Sequence, residues 1–241
     1  MEHTAIILFL FAMLASFVQR VSGFGFGIVV MTLLPTLMPS YGEATALSGL
    51  MAIVTCVITA IKLRRFFCWE ILWPLLLTFI LSSFCAVHVV GMVQSAMLKK
   101  ILGGVLIFLS LYFLFLDGKF HIRPTRLMGG LMGVLSGIMG GLFAMQGPPA
   151  VIYLVASTKT KESYTALTQW FFLVGNVMLT LFRWREGFVT RDVCVLWPIG
   201  CLGVLVGLLI GARVYAYISV VWLRRIVYLL LAVSGVLACC L

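Results

Sequence analysis

The feature that most constrains this chain is its division into long apolar segments, which leave almost no sequence for a water-soluble fold. Short polar connections separate the segments, which lie at 5–38, 43–61, 69–92, 98–116, 127–157, 163–182, 192–214 and 222–240. A membrane-spanning helix needs about 20 mostly apolar residues. With 63% hydrophobic and only 10% charged residues, the sequence predicts an all-α, polytopic integral membrane protein that forms one domain over residues 1–241.

The basic residues are placed as membrane topology requires. The formal net charge is +10, but apart from Arg20 the lysines and arginines fall at or between segment ends. This is the pattern by which positive charge orients a membrane protein, so we expect the lipid bilayer, and not nucleic acid, as partner. No Lys or Arg precedes the first apolar segment and no cleavage signature follows it, so we expect it to stay in the fold.

An internal repeat organises the sequence. Residues 22–35, SGFGFGIVVMTLLP, align without a gap with residues 136–149, SGIMGGLFAMQGPP. Further along, WP at 73–74 matches WP at 197–198, and LKKI at 98–101 matches LRRI at 223–226. Matches in the same order along two halves predict a duplication, with repeat one at 5–116 and repeat two at 127–240.

Each repeat opens with a unit that is too long for one straight span. Residues 5–38 and 127–157 would be about 51 and 46 Å long as helices, against a hydrocarbon core of about 30 Å. Each unit either crosses once with a long tail or folds back as a broken or re-entrant helix pair. Folding back places eleven basic residues on one side and five on the other, whereas a single crossing gives nine and seven. The positive-inside rule favours folding back, which predicts two inverted repeats with both termini outside.

Interrupted helices at equivalent places in inverted repeats are typical of secondary transporters, whose substrate lies between the repeats. Glycine and proline in both interrupted segments favour such a site, because the free N–H groups at the start of a half-helix attract anions. The alternative is that the glycines only allow helices to pack closely, and it applies best to the scattered Gly103, Gly104, Gly203 and Gly207.

Two motifs carry a resemblance to a known family. SGFGFGIVVMTLLP and GGLFAMQGPPAVIYL resemble the paired signature of the TauE/SafE sulfite exporter family, over essentially the whole chain. Gly147, Pro148, Pro149 and Tyr153 match that family's second motif, whereas Ala144 and Gln146 stand where glycines are expected. The resemblance implies an exporter of a small organic or sulfur-containing anion, such as sulfite or a sulfonate, in the cell (inner) membrane.

The candidate substrate-binding residues lie around the two interruptions and on a later helix. They are Arg20, Ser22, Gly23, Gly25, Gly27, Ser136, Gly137, Gln146, Gly147, Pro148, Gln169 and Asn176. Arg20 either binds an oxyanion through its guanidinium or extends to a lipid headgroup. Gln169 and Asn176 share a helix face and either face the substrate or bind a neighbouring helix.

The sequence predicts no catalytic residue, metal site or cofactor. All seven acidic residues fall at segment ends or in loops, and the three histidines lack metal-ligand spacing. His88 either packs within its span or carries a proton. A membrane enzyme acting on a lipid-linked substrate, using His88 or His121 with Asp117, would need a cluster that the sequence does not supply. A passive anion channel and a homo-oligomer stay open as alternatives to a lone transporter.

Overall fold

The computed structural model describes residues 2–116 and 123–214, and the regular elements of those residues are all helical. The helices are α1 (Glu2–Ser22), α2 (Phe26–Val30), α3 (Leu34–Leu37), α4 (Tyr41–Lys62), α5 (Trp69–Met92), α6 (Ser95–Leu116), α7 (Arg126–Phe143), α8 (Gly147–Ser157), α9 (Lys161–Arg185) and α10 (Arg191–Val214), with a short 3₁₀ helix at Arg64–Phe66. The predicted segment at 222–240 lies outside the described residues.

Six of the described helices have the length and apolar composition of a membrane span. They are α1, α4, α5, α7, α9 and α10. The predicted all-α, multi-pass membrane fold is therefore confirmed. The helices α2, α3 and α8 are too short to cross, and they follow the interruptions in the two long opening units.

Hydroxyl side chains fix the start of three long helices. Ser40, Thr125 and Thr160 precede α4, α7 and α9, and each accepts a hydrogen bond of 3.2 Å from the backbone N–H three residues later. These bonds satisfy N–H groups that have no partner within the helix. Because unpaired backbone groups are costly in a membrane, the three caps explain why the helices begin where they do.

Two helix pairs pack through glycine. Gly133, Gly137 and Gly141 of α7 lie directly against backbone carbonyls of α5. Gly203 and Gly207 of α10 lie in the same way against carbonyls of α1. Small residues let helix backbones approach closely, as is common in membranes. The packing interpretation of Gly203 and Gly207 is therefore confirmed.

The contacts also give the direction of each helix. Along α1 and α10 the contact pairs are Phe9 with Gly203 and Met13 with Gly207, so these helices are parallel. In three further helix pairs the numbers of the contacting residues also increase together, so these helices are parallel as well. They are α4 with α10, α5 with α7 and α5 with α9. In contrast, Gly49 contacts Thr180 and Phe67 contacts Trp170, so α4 and α9 are antiparallel. The helices α1, α4 and α10 therefore run one way, and α5, α7 and α9 run the other.

Both opening units fold back. In the second unit Gly140 is close to Gln146 and Gly129 is close to Tyr153, so α8 returns alongside α7. In the first unit α1 and α4 run in the same direction, so the chain through α2 and α3 returns between them. The fold-back arrangement that the charge count favoured is the one observed.

Candidate functional site

The first helix break follows α1. Gly23 and Gly25 have φ angles of +88° and +104°, in the left-handed region that glycine adopts without a steric penalty. The chain then forms α2, which has only five residues. Two glycines in this conformation explain why an otherwise continuous apolar segment stops being a helix at Ser22.

The second break follows α7 and uses different chemistry. Ala144 is the one non-glycine residue with positive φ, at +56°, in the described part of the chain. Its N–H donates to the Gly140 carbonyl at 3.0 Å, which closes the end of α7. The left-handed conformation costs a residue with a side chain about 1 to 2 kcal/mol, and such strain tends to occur at functional sites.

The start of α8 has few free N–H groups. Gly147 is its first residue, and Pro148 and Pro149 follow. Proline has no N–H, so only Gly147 and Ala150 can donate from the first turn. The predicted half-helix anion site is therefore sparse at α8, and α2 is too short to add a strong helix dipole. Side chains at the breaks must supply much of the polar chemistry.

The two breaks meet at one cavity. A Cβ atom on Gly27 would overlap with the carbonyl oxygen of Ala144, so the two chain segments are in direct contact. A cavity of about 30 Å³ lies beside this contact. It is lined by Gln19, Gly25, Phe26, Gly27, Ile28, Ala52, Cys56, Ala144, Met145, Gln146, Gly147, Phe172 and Asn176. Elements from both halves of the chain thus line one shared space.

The cavity wall is polar but uncharged, with three buried amides. Gln19 Nε2 donates to Thr55 Oγ1 at 2.8 Å. Asn176 Nδ2 and Gln146 Nε2 donate to the Phe172 carbonyl at 2.8 and 3.4 Å. The Gln146 Oε1 atom is buried without a hydrogen-bond partner. An unpaired buried polar atom is unfavourable, so this hydrogen-bond acceptor lowers the stability of the cavity wall.

Five of the predicted site residues line this cavity: Gly25, Gly27, Gln146, Gly147 and Asn176. Eight further lining residues were not among the sequence candidates: Gln19, Phe26, Ile28, Ala52, Cys56, Ala144, Met145 and Phe172. Cys56 could have been found from the caps, because it lies sixteen residues after Ser40 just as Asn176 lies sixteen residues after Thr160. Equivalent positions on α4 and α9 therefore face the same space.

Gln169, Gly23 and Pro148 lie next to the cavity without lining it. Gln169 Nε2 donates to the Gly23 carbonyl at 3.3 Å, so the interhelical hydrogen bond that was the alternative for Gln169 is present. It ties α9 to the first break. Pro148 is buried in α8 directly after Gly147. Ser22 is the last residue of α1.

The structure places Ser136 and Gly137 away from the second break. Both lie within α7, and Ser136 is seven residues before its last residue, Phe143. Gly137 packs against the Phe79 carbonyl of α5. The gap-free sequence alignment pairs these two residues with Ser22 and Gly23 at the end of α1, so it does not match equivalent helix ends. The error arose because a glycine that packs two helices and a glycine that breaks a helix cannot be distinguished in the sequence.

Arg20 also lies outside the cavity. It is exposed and lines an outer groove of about 330 Å³ together with Lys62. Its Cβ atom packs against Gly211 of α10. Arg20 follows Gln19, which faces inward, so the two side chains point to different sides of α1. Arg20 therefore does not line the cavity, and its exposed position favours the alternative, in which a long cationic side chain contacts lipid headgroups.

Among the described residues the buried cation is instead Arg183, which the sequence placed in a loop. Arg183 lies in the last turn of α9 and is 0% exposed. Its Nη2 atom donates to the Gly140 carbonyl at 2.8 Å. His88, in contrast, is an exposed residue of α5 whose Nδ1 lies 3.0 Å from Glu186 Oε1, so it is not buried among the helices.

Comparison with known proteins identifies one family. The family model described as sulfite exporter TauE/SafE matches residues 8–238. No curated protein and no solved structure matches the chain. In the part of the chain that the structure describes, no three His, Cys, Asp or Glu side chains are grouped to hold a metal ion.

Proposed function

Because the chain belongs to the TauE/SafE sulfite exporter family, a family of membrane transporters, we propose that it exports a small sulfur-containing or organic anion, such as sulfite or a sulfonate. The proposed mechanism is alternating access between two inverted repeats. The observation that carries the proposal is the meeting of two helix breaks, one from each half of the chain, at a buried polar cavity.

Helix directions support the inverted relation between the halves. In order along the chain, α1, α4 and α5 correspond to α7, α9 and α10. Each helix runs opposite to its counterpart, as the contacts between glycines and carbonyls and between α4 and α9 indicate. The packing partners correspond as well, since α1 packs most extensively on α10 and α7 on α5. A twofold axis in the membrane plane would produce this pattern.

The size of the cavity favours movement of its walls during transport. A volume of about 30 Å³ is only about two to three times the roughly 10 to 15 Å³ that a cavity needs to hold one water molecule. An oxyanion with several oxygen atoms is larger, so the two breaks would have to separate for substrate to enter. Because the breaks belong to different halves, relative motion of the halves would open the cavity.

Transport of labelled sulfite and methanesulfonate in proteoliposomes tests this function. A carrier predicts saturable flux that is accelerated by unlabelled anion on the opposite side. Flux that rises linearly with concentration and lacks counterflow would indicate a passive channel. Turnover of a lipid-linked substrate without anion flux would indicate an enzyme, and either of these results would reject the proposal.

A further inference from the structure

We propose a second anion-binding station at Arg183, formed with the hydroxyl groups of Tyr41 and Thr180, between the central cavity and the membrane side on which α9 ends. This inference rests on the proposed function, because the ligand is the transported oxyanion. It assigns to Arg183 the cationic role that the sequence had suggested for Arg20.

The first argument is the unbalanced charge of Arg183. The residue is fully buried, and its Nε and Nη1 atoms have no hydrogen-bond partner. Its one bond, to the Gly140 carbonyl, does not neutralise it. Within the described residues, no carboxylate near this end of α9 is shown to neutralise it: Glu186 contacts His88, Glu43 accepts a hydrogen bond from Thr190, and Asp192 is exposed. A buried guanidinium without a counter-charge is unfavourable in a membrane protein, and a transported anion would supply that counter-charge.

The second argument is that unpaired hydroxyls gather around the same guanidinium. Tyr41 is fully buried, its hydroxyl has no partner, and it lies close enough to interact electrostatically with Arg183. Thr180 Oγ1 is also buried and unpaired. Arg183 Nη1 and Thr180 Oγ1 lie 2.9 and 3.3 Å from the Cβ position of Gly49. Guanidinium and hydroxyl groups can all donate to oxygen, so the cluster suits an oxyanion.

The third argument is the location of the cluster along α9. Gln169, Asn176 and Arg183 are spaced by seven residues and share one helix face, over about 21 Å. Gln169 contacts the first break and Asn176 lines the central cavity. Arg183 binds the Gly140 carbonyl, and the Cβ position of Gly140 lies 3.0 Å from the Cβ atom of Gln146. One face of α9 therefore leads from the first break through the cavity to the buried cation.

Three variants test the station in the full chain, purified in detergent and titrated with sulfite and with methanesulfonate. Arg183→Gln should weaken binding roughly ten- to a hundredfold, because it removes charge-assisted hydrogen bonds. Tyr41→Phe and Thr180→Val each remove one hydroxyl with little change of shape, and each should weaken binding about two- to tenfold. Arg185→Gln is the matched control, since Arg185 is exposed two residues later on α9, and its affinity should stay near that of the wild type.

The hydroxyl variants separate substrate binding from a structural role. Neither hydroxyl has a protein partner, so a purely structural role predicts unchanged affinity in Tyr41→Phe and Thr180→Val. That result would overturn the station even if Arg183→Gln failed to fold. If the wild type transports sulfite and the folded variants match it, the station is rejected and the transporter function stands. A wild type that neither binds nor transports these anions would reject both.

Discussion

The carbonyl oxygen of Ala144 lies so close to Gly27 that a Cβ atom on Gly27 would overlap with it. This contact joins the two helix breaks, which are far apart in sequence and belong to different halves of the chain. It depends on glycine at position 27, because any side chain would meet backbone atoms that cannot rotate away. The contact also forms part of the cavity wall. The geometry of the proposed substrate site therefore depends on a single missing methyl group.

Gly27→Ala should separate the breaks and strongly reduce transport. A methyl group forced against a backbone carbonyl should lower the free energy of unfolding by about 1 to 3 kcal/mol. Gly104→Ala is the control, since a Cβ atom at Gly104 would meet nothing within 4 Å and should stabilise α6 by up to about 1 kcal/mol. Thermal unfolding in detergent and flux in proteoliposomes measure both effects. Wild-type flux in Gly27→Ala would show that the contact is not needed for transport.

Substitution by alanine should destabilise the protein more at Gly203 than at Gly147, although Gly147 lies in a helix break and Gly203 does not. Gly203 lies in no break, yet a Cβ atom there would strike the Phe9 carbonyl of α1, so Gly203→Ala should destabilise the protein by about 1 to 3 kcal/mol. The Cβ position of Gly147 is 3.5 Å from Phe172, an ordinary contact, so Gly147→Ala should fold normally. Gly147→Leu should fold less well and block the cavity. Equal stability of the two alanine variants, compared by thermal unfolding, would contradict this assignment.

The sequence predicted the helices and both breaks better than it predicted the orientation of individual side chains. Apolar length and charge placement identified α4, α5, α9 and α10 almost to their ends, because burial in lipid demands long apolar helices. The glycines and prolines at the breaks were also informative. These signals are local, so a single sequence can contain them.

The errors arose where the decisive contact is long-range. Gln19 and Arg20 are adjacent, and only the packing of α10 against α1 determines which of them faces inward. Arg183 was assigned to a loop because a charge near a span end usually lies there. Its burial depends on Gly49 of α4, which leaves room for the guanidinium. A single sequence does not show which glycine opposes which arginine.

The membrane topology gives a further prediction, because the fold places more basic residues on one side of the membrane than on the other. On the side where α4 ends and α9 begins, the described residues include Lys62, Arg64, Arg65, Arg123, Arg126, Lys159, Lys161 and Arg213, whereas the other side has Lys99, Lys100, Arg185 and Arg191. The positive-inside rule places the first group in the cytoplasm. A cysteine at Lys159 should therefore react with a membrane-impermeant thiol reagent only after cells are opened. A cysteine at Arg191 should react in intact cells, and the reverse pattern would contradict the predicted orientation.

We expect Gln146 to determine which of the two anions the protein prefers. Its Nε2 atom makes one long hydrogen bond of 3.4 Å to the Phe172 carbonyl. Its Oε1 atom has no partner and fills the room left by Gly175. Gln146→Leu keeps a similar volume and removes one neutral donor, so the affinity for sulfite should fall about two- to tenfold. The same change removes an unpaired buried oxygen, so stability should be unchanged or higher.

Gln146→Gly makes the opposite kind of change, because it exchanges the amide for space. The wider cavity should keep transport active and shift the preference from sulfite towards the bulkier methanesulfonate. Arg20→Gln is the control, because Arg20 is exposed in the outer groove, and it should alter either affinity by no more than about twofold. Isothermal titration of each variant with both anions gives the ratio of affinities. If that ratio is the same in Gln146→Gly and the wild type, while Arg20→Gln binds sulfite markedly more weakly, then the selective contacts lie at the groove and not at the meeting of the two breaks.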